Sequence, residues 1–261
     1  MKIVTFNIRC SWDGDGINSF IHRAGMIFEK IQLEKPDIIG FQEVTDQILN
    51  FLESLMPEYL FLGHGRNADY KGEGVFTAIL KETIQLISTD TFWLTETPYK
   101  YSLLSGQSNC PRTCVGSVLQ EKKSGTLFAI YNTHLDHLSG DSADNVRLKE
   151  LKVISRRIQE DQVTRQIPFF VLGDFNAEPH HTSIEYCDTG FQPPIEDLTE
   201  EFFPTFHGFH LGNDPFSKID YIFISKEHRD SFLGAEIWDD EQDDVYLSDH
   251  YPIAIEMSFK L

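Results

Sequence analysis

Residues 169–179 read FFVLGDFNAEP: four apolar residues, a glycine, and then Asp174 and Asn176 within four positions of that glycine. An unbroken apolar run stopped by Gly173 predicts a short buried strand over Phe169–Leu172. Alternate side chains of a strand share a face, so at its carboxyl end Asp174 and Asn176 point the same way. The pair supplies a carboxylate that takes a proton or holds a hard cation, and an amide that both donates and accepts. That combination suits orienting and deprotonating a water molecule. The same residue types dominate ordinary turns, so the stretch alone leaves a strand followed by a turn as an equal reading.

The whole chain narrows the choice. Its 261 residues carry 22 basic and 41 acidic side chains, a net charge of −19. This predicts a self-repelling surface and argues against a broad basic groove for long nucleic acid. No repeat, low-complexity linker or shift in composition marks a boundary, so residues 1–261 are read as one α/β domain. Cys10, Cys110, Cys114 and Cys187 are sparse, and the three residues between Cys110 and Cys114 are not a zinc-knuckle spacing. Free thiols in a reducing compartment are the simpler reading. With no apolar leader and no membrane-length apolar run, the expectation is a cytoplasmic protein without a membrane partner. The oligomeric state is left open.

Working outward, Lys2–Arg9 alternates Val4, Phe6 and Ile8 with Thr5, Asn7 and Arg9, the pattern of a half-buried strand. Phe20 to Leu33 reads as a helix with an apolar face of Ile21, Ala24, Phe28, Ile31 and Leu33. A strand over Ile38–Phe41 leads into Gln42-Glu43, and a helix follows from Thr45 to Leu55. After a glycine-rich loop, Val75–Leu80 and Ile84–Leu94 read as a hairpin turning at Lys81-Glu82-Thr83. Tyr99–Asn109 is a loop, Arg112 precedes a strand over Thr113–Leu119, and another strand spans Thr126–Asn132. His134 lies just past it, with Asn132 on the same face. Ala143–Gln162 is the clearest helix, with Val146, Leu151, Ile154 and Ile158 inward and basic residues opposite. Lys218–Ser225 is an apolar strand interrupted by Asp220, an acid that is costly in a core unless paired. Asp249-His250 precedes a last strand over Tyr251–Phe259. Taken one at a time, Asn7 is more simply a structural amide, Glu43 a first-turn glutamate and His134 a structural histidine. Their repeated placement at strand ends counts against this, because ligands of α/β sheets bind beyond the carboxyl ends of strands.

TFNIR at 5–9, FQEV at 41–44, NTH at 132–134, LGDFNAEP at 172–179, KIDYIF at 218–223 and SDHYPI at 248–253 stand in this order. On these motifs the chain resembles the endonuclease/exonuclease/phosphatase superfamily, the fold group of DNase I. The resemblance implies a four-layer α/β sandwich with two central mixed β-sheets flanked by helices. It implies Mg2+, with Mn2+ as an alternative, bound by Glu43 with Asn7 and Asp249. Asp174 would activate the attacking water and Asn176 would hold that water or the phosphate. His250, paired with Asp220, would donate to the phosphoryl oxygen, and His134 would stand near the leaving group. Arg112 and Asn132 would contact substrate, and Glu73 falls where some members place the partner of a histidine.

The motif set, with QEV, FWLTETP at 92–98 and GDFN, is nearest to compact bacterial-type members of the deadenylase-like branch. The functional reading is a phosphohydrolase, more simply a phosphodiesterase, acting on a small phosphorylated substrate or short oligonucleotide. A nuclease or deadenylase would need Arg66, Lys71, Arg112, Arg147, Lys149, Arg156 and Arg157 to converge on one face. A non-catalytic phosphate-binding module on the same fold is the third reading.

Overall fold

The computed structural model describes residues 1–210 and 216–259. Two six-stranded sheets dominate it. The first contains β1 (Lys2–Asn7), β2 (Ile38–Val44), β3 (Tyr59–Leu62), β4 (Gly74–Leu80), β11 (Phe232–Ile237) and β14 (Ile253–Met257), in the order β11-β14-β1-β2-β4-β3. The second contains β5 (Ile84–Trp93), β6 (Thr113–Glu121), β7 (Leu127–His134), β8 (Phe169–Asp174), β9 (Ile195–Asp197) and β10 (Asp220–Ser225), in the order β5-β6-β7-β8-β10-β9. A small ribbon joins β12 (Glu241–Gln242) to β13 (Val245–Tyr246). Both large sheets are mixed: β1 runs parallel to β2 and β7 to β8, while their other neighbours are antiparallel. The helices are α1 (Phe20–Glu34), α2 (Asp46–Leu55), α3 (Asp141–Arg165) and α4 (Thr182–Thr189). None of the described helices is long and apolar enough to cross a membrane.

Three apolar layers hold the sandwich together. α1 and α2 cover the first sheet through Ile27, Ile31, Ile48 and Leu52 against Val4, Phe6, Ile39 and Phe41. α3 and α4 cover the second through Leu151, Ile154 and Ile184 against Tyr131, Val171 and Phe223. Between the sheets, Ile3, Ile38 and Ile255 meet Ile130, Phe170, Leu172 and Ile222. Each central strand therefore sends alternate residues to two different apolar layers, which explains unbroken runs such as FFVL. β1 is accordingly buried on both faces rather than half-buried.

Two expected elements are different in the structure. Val75–Leu80 and Ile84–Leu94 do not form a hairpin: β4 pairs with β2 and β3, whereas β5 pairs with β6 in the other sheet. Both edges of β4 are occupied, so the turn at Lys81–Thr83 carries the chain across the sandwich. On α1 the buried face is Phe20, Ala24, Ile27 and Ile31, while Ile21 and Leu33 are about four-fifths exposed. At about 100° per residue they project about a third of a turn to either side of Ile27.

The inter-sheet layer has a polar seam at the end that carries the conspicuous acids. Gln42 Nε2 donates to Asn132 Oδ1 at 2.8 Å, joining the sheets. Asn132 Nδ2 donates to Phe41 O at 3.1 Å and Phe76 O at 3.0 Å. Phe41 and Phe76 are register partners at the place where β2 bulges, between Phe41 and Val44. Asn132 thus bridges two carbonyls at the opening of the bulge. It is fully buried and is not among the residues lining the cavity at this edge, so its place in the structure is as a brace between the sheets. Replacing Asn132 with alanine leaves buried carbonyls and the Gln42 amide short of partners. The expected loss is at least ~2 kcal/mol in urea unfolding; a loss below ~0.5 kcal/mol, as at an ordinary surface position, would contradict the bracing role.

Candidate active site

The carboxyl ends of β1, β2, β7 and β8 meet the start of β10 and the turn before β14 at one edge of the sandwich. A cavity of about 860 Å3 opens there, lined by Glu43, His134, Asp174, Asn176, Asp249 and His250 among others. Register explains the convergence on the second sheet: His134 on β7 and Asp220 on β10 are the cross-strand partners of Asp174 on β8. Gly173 makes the parallel pairing of β7 and β8 close. Its φ is +140°, and a Cβ there would lie 1.9 Å from Thr133 O.

Asn7 joins the two halves. Its Nδ2 donates to Asp174 Oδ2 at 2.9 Å and to Glu43 Oε1 at 3.2 Å, while its Oδ1 accepts from the Arg9 backbone N–H at 3.0 Å. An amide that presents its nitrogen to both acids and its oxygen to the backbone is a hydrogen-bond bridge between the two sheets. Glu43 lies on the β2 bulge with φ +60°, and its Oε2 accepts from the Cys10 N–H at 2.9 Å. Left-handed backbone at a non-glycine costs roughly 1 kcal/mol or more and persists where the surroundings enforce it. Here the bulge turns the carboxylate into the cavity.

The charges divide into two sets. Burial pushes the Asp174 carboxyl up and the nearby Asp220 adds to this, to about 7, against the pull of His250 and of the Asn176 and Asn7 hydrogen bonds. Burial alone would depress His250, but Asp220, accepting from its Nδ1 at 2.9 Å, and the charges of Asp174 and Asp249 hold it up at about 10. His250 is therefore an imidazolium near neutral pH. Its Nε2–H is 3.4 Å from the Asn7 amide, itself a donor, and 3.8 Å from Asp174 Oδ2. That N–H is left to an incoming oxygen. His134, 3.4 Å from Asp174 through Nε2, is held well below its ordinary pKa by burial and by Arg112 and Arg66; it is the neutral imidazole of the pair.

At the other side, burial pushes Glu43 up, but the Cys10 N–H, Arg9 and His250 outweigh it and leave the group below its ordinary value. Asp249 is raised by burial and by the charge of Glu43. Two oxygen-donor acids facing one cavity, the charge of Glu43 disfavouring ionisation of Asp249, fit a hard divalent cation. Asp174, Asp220 and His250 also bring ligand atoms within 4.8 Å of one another. That cluster suits a cation less well, because a protonated imidazole whose Nδ1 is committed to Asp220 offers no lone pair there.

Arg112 lines the cavity, is almost fully buried, and places Nη2 2.8 Å from His137 Nδ1. Glu73 pairs with Arg66 instead of a histidine. Residues not singled out from sequence also line the cavity: Arg9, which pairs with Asp15 and Asp249, Trp12, His137 and His181. The spacing of Arg9 two residues after Asn7, and of His137 three after His134, was the available signal. Replacing Asp220 with asparagine removes the main support of the His250 charge. The expected pKa of His250 falls by about 1–3 pH units, followed by NMR titration in EDTA. In the wild type, the stability this pairing contributes is full below ~6.5 and is lost as pH rises through about 10. An unchanged His250 titration would contradict the pairing.

Comparison with known proteins shows the family and the fold. A model of the Endonuclease/Exonuclease/phosphatase family matches residues 4–250. Human tyrosyl-DNA phosphodiesterase 2 is 27% identical over 178 residues, covering 67% of this chain and 41% of that protein. Mouse nocturnin is 25% identical over 203 residues, covering 69% and 44%. The chain thus matches less than half the length of these relatives. Among solved structures, an endonuclease/exonuclease/phosphatase from Bacteroides vulgatus superposes with a TM-score of 0.85 at 28% identity over 98% of each chain. A mannosyl-6-phosphatase from Bacteroides thetaiotaomicron shares the fold, with a TM-score of 0.83 at 24% identity over 99% of this chain and 100% of that one.

Proposed function

The chain belongs to the endonuclease/exonuclease/phosphatase family, and from that premise we propose that it is a divalent-cation-dependent phosphohydrolase, most simply a phosphodiesterase, on a small or short phosphorylated substrate. The observation that carries the reading is the Asn7 bridge, which sets a carboxyl poised near pH 7 beside an acid pair and an imidazolium in one cavity. The matched relatives bear names that denote action on phosphoesters.

Glu43 and Asp249 are the residues that would hold Mg2+ or Mn2+. When bound, the cation supplies Lewis-acid stabilisation of charge on the phosphate. Asp174, with a pKa near the working pH, accepts the proton of the attacking water. Asn7 and the Asn176 N–H, which bonds Asp174 Oδ1 at 2.8 Å, fix that carboxylate's orientation. Asn176 also lines the cavity, where its side chain holds the water or the phosphate. His250 donates its free Nε2–H to the phosphoryl oxygen on which negative charge grows, and Asp220 keeps the ring charged and aimed. Neutral His134 stands beside Asp174, near the leaving group.

Arg112 supports a phosphate at this site. Arg9 and Arg66 have carboxylate partners, whereas Arg112 has none among the described residues, and its Nε lacks a hydrogen-bond partner. A guanidinium buried in this way is costly unless an anion completes it, and its planar fork matches phosphate oxygens. Long polyanions fit less well. Arg147 is internal, donating to Asp136 O and Leu138 O, and Arg156 and Arg157 pair with Glu96 and with Asp90 and Asp161 away from the cavity.

A panel of bis-p-nitrophenyl phosphate, short oligonucleotides and phosphomonoesters tests the reading on wild type and Asp174→Asn with Mg2+ or Mn2+. One substrate class should be hydrolysed by wild type, with kcat reduced about 10²-fold or more in the variant. EDTA should abolish turnover and added cation restore it. Failure of the wild type on all three classes would defeat the proposal.

A further inference from the structure

Arg23 on α1 is fully buried, and its hydrogen bonds go to backbone carbonyls, with the charges of Asp249 and Asp15 acting on it from further off. Nε donates to Asn18 O at 2.6 Å, Nη1 to Ile8 O at 2.9 Å and to Leu247 O at 2.6 Å, and Nη2 to Arg9 O at 3.2 Å. These carbonyls belong to three segments, two of them near the start of the chain and one close to its other end. Ile8 and Arg9 directly follow Asn7. Leu247 leads into Ser248-Asp249-His250, 224 positions from Arg23. Asn18 follows the turn carrying Asp15, whose carboxylate pairs with Arg9. The guanidinium also lies 5.6 Å from the ring of Phe209, another residue of the cavity wall.

A buried cation bonded only to carbonyls is an expensive way to fix a helix to a sheet, since apolar side chains on the same face already do so. Three of the four carbonyls, those of Ile8, Arg9 and Leu247, lie within two positions of Asn7 or Asp249 in the chain. We propose that Arg23 is a positioning residue, its guanidinium fork setting the spacing between the exit of β1 and the Asp249–His250 turn and thereby the geometry of Glu43 and Asp249 toward a cation. The inference rests on the reading of those two acids as the cation-binding pair. Arg23 itself touches neither cation nor substrate. Lysine cannot replace it, because a single ammonium lacks the planar fork that reaches carbonyls on several segments at once.

The test is Mn2+ binding, read from the EPR signal of the free ion, on wild type, Arg23→Lys and Arg23→Met. Arg147→Lys is the control, a second buried arginine bonded to carbonyls but on the segment around Asp136. Arg23→Lys and Arg23→Met should keep the wild-type circular dichroism spectrum and bind Mn2+ about 10-fold or more weakly, the usual effect of losing a residue that orients a ligand. Arg147→Lys should lower Tm yet keep the wild-type affinity. Folded Arg23 variants with unchanged affinity would overturn the inference, as would an equal loss in Arg147→Lys. Failure of both Arg23 variants to fold would also overturn it, making the residue a requirement of the fold. Wild type that binds no Mn2+ removes the cation reading and this inference together, whereas wild-type binding with unaffected Arg23 variants removes only the inference.

Discussion

One side-chain amide holds the two halves of this site together. Asn7, from the first sheet, donates to Glu43 on its own sheet and to Asp174 on the other, across a separation of 167 residues. An amide can do this without adding charge to a cluster that already contains Glu43, Asp174, Asp220 and Asp249. Its two N–H bonds are spent on the acids, so the His250 Nε2–H stays free, and its oxygen accepts from the Arg9 backbone N–H. The catalytic proposal depends on that division: acids toward a cation on one side, a near-neutral base and an imidazolium on the other.

The bridge works only because the sheets are fixed relative to each other. Apolar residues on both faces of the central strands give three packed layers, and packed layers resist sliding. The Gln42–Asn132 link adds direction to that packing at the end where the bulge lifts Glu43. Part of the local strain falls at the same place. Arg9, Glu43 and Asn176, all at the cavity, adopt positive φ. Backbone of this kind persists where surrounding contacts enforce it, and the Arg23 carbonyl bonds at Arg9 are among those contacts.

Much of this was legible in the chain because motif residues sit at the ends of apolar runs. Asp174 and Asn176 after the FFVL strand and the Asp249-His250 pair before β14 line the same cavity, and Asp220, the anomaly in KIDYIF, supports it from behind through His250. What sequence concealed was pairing and orientation. The hairpin expected over residues 75–94 is split because both edges of β4 are taken, a fact about other strands. Asn132 and His134 share a strand face by spacing, yet the first is sealed between sheets and the second reaches the cavity, since the strand runs out of the core between them. Asn7 was placed at the site, but which end of its amide meets the acids depends on the Arg9 backbone. Arg23, within the predicted helix, carried no signal, because its partners are carbonyls and any residue supplies those.

The most direct measurement is anomalous diffraction from crystals holding Mn2+ and inorganic phosphate. The account requires an anomalous peak at the carboxylates of Glu43 and Asp249, with phosphate oxygens within hydrogen-bond distance of His250 Nε2 and the Arg112 guanidinium, and with the His250–Asp220 bond intact. Manganese seated instead on Asp174, Asp220 and His250, with that bond broken, would contradict it.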